Sequence, residues 1–269
     1  MNRLLLSSAS FSLFLTLASA QAATLAPHRA FYDLEIKRLE HGNNISTIKG
    51  RLAYEITGSS CDGYAVSYRI ANRIIYVEGG SQVIDTRMIS WESGNGLELD
   101  LTQKQFVDAK LNSESRIKVR KDGADKAGKG EIAATESKQF EIMATAIFPT
   151  QYQLKLIDAA NKGEVRDSSI VYEGSEDEKS MKAISFIGTK RPVSGLPTQQ
   201  ADELSDVTAW PVSISYFPVE GAADDTPQYQ ASFLMLDNGI STELVLDYGS
   251  YALSGKLTRL ELLKTESCK

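Results

Sequence analysis

Cysteine and histidine are scarce in this 269-residue chain: Cys61, Cys268, His28 and His41 are all it has. Neither histidine lies beside a serine or cysteine nucleophile motif, and no G-x-S-x-G, H-E-x-x-H, phosphate-loop or dinucleotide-binding glycine pattern occurs. The spacing signatures of acyl transfer, zinc hydrolysis and nucleotide chemistry are therefore missing. The acidic run Glu173 to Glu178 lacks the alternating Asp/Asn ligands and the glycine of a calcium loop, and reads instead as the solvated tip of a hairpin. Carboxylates are plentiful, but a glycosidase-like pair has no local spacing that would mark it. No catalytic, cofactor-binding or metal-binding residue is assigned, and the expectation is a protein that is not an enzyme.

Positive charge is also short. Residues 1–22 contain one charged residue, Arg3, so their removal takes the net charge from −6 to −7 over the remaining 247 residues. A modestly acidic chain argues against nucleic acid as the main partner. Arg116, Lys118 and Arg120 are spaced by two and fall on one face of a strand, a local basic stripe whose ordinary role is a solvent-facing side.

Apolar runs are confined to the start. Arg3, the mostly apolar stretch Leu4 to Leu17 and the small-residue triplets Ala18-Ser19-Ala20 and Ala20-Gln21-Ala22 form a secretory leader, with cleavage expected near Ala20 or Ala22. The run is shorter than the ~20 residues that span a bilayer, and no cysteine follows it to carry a lipid anchor. The chain thus divides into a signal peptide, 1–22, and one domain, 23–269, expected in the periplasm. Two cysteines in an exported chain read as a disulfide. Closing a loop of 207 residues (268 minus 61), it would contribute roughly 5 kcal/mol at most in the chain-entropy account.

What is present in quantity is period-two alternation. Tyr32, Leu34 and Ile36 face one way while Asp33, Glu35 and Lys37 face the other, and the pattern returns in Ile48 to Ile56, Tyr64 to Ile70, Val83 to Ile89, Leu97 to Leu101, Ile117 with Val119, and Phe140 to Phe148. Turns at Gly58 to Gly63, Gly79-Gly80, Gly94-Asn95-Gly96 and a polar Lys121 to Gly130 loop separate these runs. Such spacing predicts a long antiparallel meander. Phe148-Pro149-Thr150 opens one short amphipathic helix over Gln151 to Asn161, with Thr150 and Gln153 as a capping box and Gly163 past its end. Beyond it come a hairpin around Glu176-Asp177-Glu178, an acidic patch at Asp202-Glu203, a strand after Pro211, and Asp237-Asn238-Gly239 between the alternating runs from Tyr229 and from Ile240. Asn-Gly in that setting is a strong hairpin signal. A last strand, Leu257 to Leu263, delivers Cys268.

About a dozen strands in one series predict a sheet that curls, closing as a barrel or splitting into packed layers. The fold class is mainly β, a large antiparallel curled sheet with one short helix. Its concave side would be lined by Tyr54, Tyr64 and Tyr68, each on the apolar face of its run.

Several stretches together, Leu25-Ala26-Pro27-His28-Arg29-Ala30 with Tyr32, Phe148-Pro149-Thr150, Trp210-Pro211-Val212 with Tyr216-Phe217-Pro218, and Asp237-Asn238-Gly239 with Leu246-Asp247-Tyr248, resemble the EipB-type cell-envelope integrity proteins of the periplasm. The resemblance implies a β-spiral, an unclosed barrel-like sheet with a helix along it, held by one disulfide that Cys61 and Cys268 match by position. It implies a structural or adaptor factor whose loss sensitises the envelope to stress and which works with a periplasmic tetratricopeptide-repeat protein. It carries over no catalytic residue. The alternative expectation is a carrier that holds a lipid-like or peptide ligand, hydrophobic or envelope-derived, in the concave interior.

Overall fold

The computed structural model describes residues 23–134, 136–174, 179–193, 207–219 and 226–264. The leader, the Glu176-Asp177-Glu178 tip, the Asp202-Glu203 patch and Cys268 lie outside them.

Among these residues the chain forms β1 (His28–Leu39), β2 (Ile45–Ser59), β3 (Gly63–Tyr76), β4 (Ser81–Glu92), β5 (Glu98–Val107), β6 (Lys110–Lys121), β7 (Gly128–Ala133), β8 (Ser137–Ile142) and β9 (Ala146–Ile147). The helix α1 (Pro149–Asn161) follows, then β10 (Arg166–Val171), β11 (Met181–Ile187), β12 (Arg191–Pro192), β13 (Thr208–Pro218), β14 (Tyr229–Met235), β15 (Ser241–Asp247) and β16 (Tyr251–Leu262). Strands β1 to β8 form the expected meander, each paired to the next. On the other side of β1 the last strand returns, His28 opposite Leu262 and Leu39 opposite Tyr251, and the sheet continues through β15, β14, β13, β11 and β10 to β9.

The two edges of this sheet, β8 and β9, are separated by only residues 143–145 in the chain. So short a link forces a sheet of this width to curl until its edges lie side by side, yet they do not pair. The result is an open, barrel-like spiral. Lys121 sits at the seam, its Nζ donating to the carbonyls of Ala124 (3.1 Å), Ala144 (2.9 Å) and Ala146 (2.8 Å). A buried ammonium is tolerable only when its donors are used in this way.

Alternation accounts for the inside and outside of the wall. In β2, Ile48, Leu52 and Ile56 are buried while Lys49 and Arg51 are exposed, and Arg51 pairs with Asp33 of the neighbouring strand at 2.8 Å. The helix fills one end of the concave side: Tyr152, Leu156, Ile157, Ala159 and Ala160 share a core cluster with Ile56 and Tyr64 of the early strands and with Val212, Ile214 and Tyr216 of β13. Full burial of Leu156 and Ile157 stabilises the fold by about 1.5 to 3 kcal/mol each.

The structure departs from the sequence expectations at several points. Lys121 to Gly130 is not all loop, because β7 begins at Gly128. Gly130 leaves room for the ring of Phe140 opposite it; a Cβ there would lie 2.3 Å from Phe140 Cζ. The run Phe140 to Phe148 is broken between β8 and β9. Strand β13 begins at Thr208, upstream of Pro211, and β16 begins at Tyr251 rather than Leu257. The capping box is absent: Phe148 is the N-cap and makes no side-chain cap bond. Gln153 instead donates from Nε2 to the carbonyl of Gly239 at 2.7 Å. The Asn-Gly turn is therefore a junction, because the carbonyl of Asn238 also accepts from the amide of Ala26 at 2.9 Å.

Candidate functional site

Even-numbered residues of β2, β3 and β4 point into the curl, since Tyr54 stands opposite Tyr68 and Tyr68 opposite Met88. The register continues with Ser90 opposite Leu101 and Glu92 opposite Leu99. Around these side chains is a cavity of about 340 Å³, walled by Tyr54, Val66, Tyr68, Met88, Leu99 and Leu101, with Glu92, Glu173 and Tyr229 among its polar lining residues. A second cavity of about 230 Å³ adjoins it through Tyr54 and Gln153 and is lined by His28, Tyr32, Leu52 and Phe233 among others.

Of the three tyrosines expected on the concave wall, the structure brings Tyr54 and Tyr68 to the first cavity, directly across a strand pair. Tyr64 shares their face but lines neither cavity. It is packed in the core at 1% exposure, beneath the amino-terminal segment, where Leu25 N lies 3.4 Å from its hydroxyl. Position along the strand separates them: Tyr64 sits at the turn end that helix α1 fills.

Glu92 is a residue that sequence reasoning did not single out. It is 2% exposed, and its carboxylate accepts the Thr150 amide at 2.9 and 3.0 Å and the Thr150 hydroxyl at 2.7 Å. It caps the first turn of α1 from another strand, where exposed amides and the helix dipole favour an anion. Burial nevertheless dominates and pushes its carboxyl up to about 7, with the bonds from Thr150 opposing. Its hydrogen-bonding capacity is committed to the fold.

Glu173 was expected on a solvated tip. It is half-buried instead and lines the first cavity, where it accepts a short hydrogen bond from the Tyr229 hydroxyl. The chain turns inward there because Val171 and Tyr172 beside it are buried. Burial pushes the Glu173 carboxyl above the ordinary range, and it pushes the Tyr229 phenol far upward too, with the Glu173 charge adding to the effect. Tyr229 is held in place by stacking on Tyr216, ring centroids 4.4 Å apart at 13°.

His28 lies in the second cavity against Tyr54, centroids 5.6 Å apart. Its Nδ1 donates to the Ala26 carbonyl at 2.7 Å, and burial lowers its pKa, so the ring is neutral near pH 7. The two arginines of the basic stripe are ion-paired on the surface: Arg116 meets Glu114 at 3.1 Å, and Arg120 meets Asp100 at 3.0 Å and Glu98 at 3.1 Å. Among the described residues no group of three or more His, Cys, Asp or Glu is placed to hold a metal ion. What the interior offers is an apolar chamber with a few fixed polar groups, the usual constitution of a small-molecule site.

Comparison with known proteins places this architecture. A sequence model of the EipB-like family matches residues 19–264. The cell envelope integrity protein EipB of Brucella abortus (strain 2308) is 32% identical over 251 residues, covering 92% of this chain and 88% of the relative. The crystal structure of a β-barrel-like protein of the domain of unknown function DUF1849, also from Brucella abortus, superposes with a TM-score of 0.85 at 27% identity, covering 90% of this chain and all of that one. With its family match, its relative and its unclosed barrel-like sheet in agreement, the chain belongs to the EipB-like family.

Proposed function

We propose that this chain is an exported cell-envelope integrity factor that performs no catalysis and acts as a structural or adaptor protein of the periplasm. The observation that carries the reading is the 32% identity, over nearly the whole length of both chains, to a protein named for cell envelope integrity. The leader supports export with cleavage near Ala20 or Ala22. The partner in this reading is a periplasmic tetratricopeptide-repeat protein, docked on the outer surface of the spiral.

The reading includes a clasp between Cys61 and Cys268. Cys61 lies in the turn between β2 and β3, its amide 3.3 Å from Ser59 Oγ. At the same end of the sheet, β1 brings Leu262 and Ile56 to either side of His28, two strand spacings or about 10 Å apart. Leu263 is still held there, its amide donating to the Pro27 carbonyl at 2.9 Å. The residues from there to Cys268 span up to about 20 Å when extended, ample for a bridge.

A second reading, favoured by the 340 Å³ interior cavity and the adjoining one, is a carrier of a lipid-like or peptide ligand. Fractionation and in vivo cross-linking test the first reading. Recovery of the processed chain in the periplasm, cross-linked to a repeat protein, is the expected result; full-length chain in the cytoplasm overturns it.

A further inference from the structure

The larger cavity has a chemical bias. Three tyrosines, Tyr54, Tyr68 and Tyr229, line it with two carboxyl groups, and no lysine, arginine or histidine is among its described lining residues. Glu92 is spent on Thr150, whereas the described partner of the Glu173 carboxylate is one phenol, Tyr229. An anion held by a neutral donor in an apolar chamber is unbalanced, because burying a carboxylate without a counter-charge is costly. Tyrosine ring faces carry negative potential and attract ammonium groups, more strongly where water is excluded. Carboxylate and aromatic walls thus favour the same kind of guest, and they disfavour an anionic one.

We propose that this cavity binds an amphiphile with an ammonium head, the head lying among Glu173, Tyr229 and Tyr68 and an aliphatic chain lying along Val66, Met88 and Leu101. The assignment rests on the carrier reading and names its ligand class. Volume sets the size of the guest: 340 Å³ accommodates on the order of ten groups of about 30 Å³ each. With the ammonium nitrogen counted, a single chain of roughly eight carbons therefore fits, and a two-chain lipid does not.

The test is calorimetric titration of the purified mature chain with octylammonium, octanol and octanoate, each below its aggregation concentration. The ammonium compound is expected to bind at least tenfold more tightly than octanol, with octanoate weakest. Glu173→Gln should abolish that preference while leaving octanol binding in place, and Tyr68→Leu should weaken the ammonium several-fold. Octanol or octanoate equal to or tighter than the ammonium, in the unmodified protein, overturns the ammonium assignment and leaves the carrier reading standing. Binding of none of the three overturns both. Because the comparison among ligands uses the unmodified chain, the proposal stays testable even if a variant fails to fold.

Discussion

The Thr150 amide and hydroxyl both donate to Glu92, 58 residues earlier in the chain, at 2.9 and 2.7 Å. The helix is thereby started by a carboxylate of β4 rather than by its own side chains. Burial lifts that carboxyl from its ordinary 4.5 to about 7, so the native state holds a proton that the unfolded chain releases above about 4.5. The protein therefore loses stability from this group as pH rises from about 4.5 to about 7, by about 3 kcal/mol at 1.36 kcal/mol per pH unit. Urea unfolding of the wild type and of Glu92→Gln should show the gap between them shifting against the wild type by that order between pH 5 and pH 8. Parallel pH dependences would remove Glu92 from this role.

Lys121, at the end of β6, ties the turn after its own strand to the link between the two edges and to edge strand β9 through three carbonyls. In Lys121→Met those carbonyls lose their shared donor in a site that is 7% exposed, a loss of about 2 to 4 kcal/mol. Hydrogen exchange should accelerate first in β8 and in the segment from Ala144 to Ile147. Uniform acceleration across the sheet would mean that Lys121 does not hold the seam.

Phe140 lies over Gly130 and tilts against Tyr172, centroids 5.5 Å apart. Gly130→Val should cost about 1 to 3 kcal/mol by overpacking, and a Phe140→Leu change in the same chain should recover part of it. Additive losses in the double variant, measured by thermal melting, would contradict the contact.

The same pair explains how much was legible beforehand. Strands β1 to β5 are written in plain alternation, so their faces, and with them the positions of Tyr54 and Tyr68, follow from period two. Strand β7 reads Gly-Lys-Gly-Glu-Ile-Ala, with glycine at inward positions where Ile142 and Phe140 supply the bulk; its identity comes from its neighbours rather than its own residues. The Thr150 and Gln153 spacing mimics a capping box, but tertiary partners, Glu92 and Gly239, take both side chains. Glu92 and Glu173 carry no local mark at all. Their site is assembled from β4, the turn after β10 and β14, and only the closing of the curl brings them to one cavity. Family membership was legible because it is written in short motifs spread along the whole chain.

The clasp has a direct chemical assay. Thiol titration of the denatured, unreduced chain should find no free thiol, and Cys268→Ser should lower the melting temperature while leaving the sheet formed. Two free thiols per chain would exclude the bridge, and a reductant-sensitive dimer would place it between chains.

Envelope integrity itself is tested most directly by loss and rescue. A strain lacking the gene, challenged with a membrane-active detergent and a cell-wall antibiotic, should lose viability by orders of magnitude relative to its parent. The full chain should restore it, and a version lacking residues 1–22 should not. Unchanged survival of the deletion strain, or full rescue by the leaderless chain, would contradict an exported envelope-integrity factor.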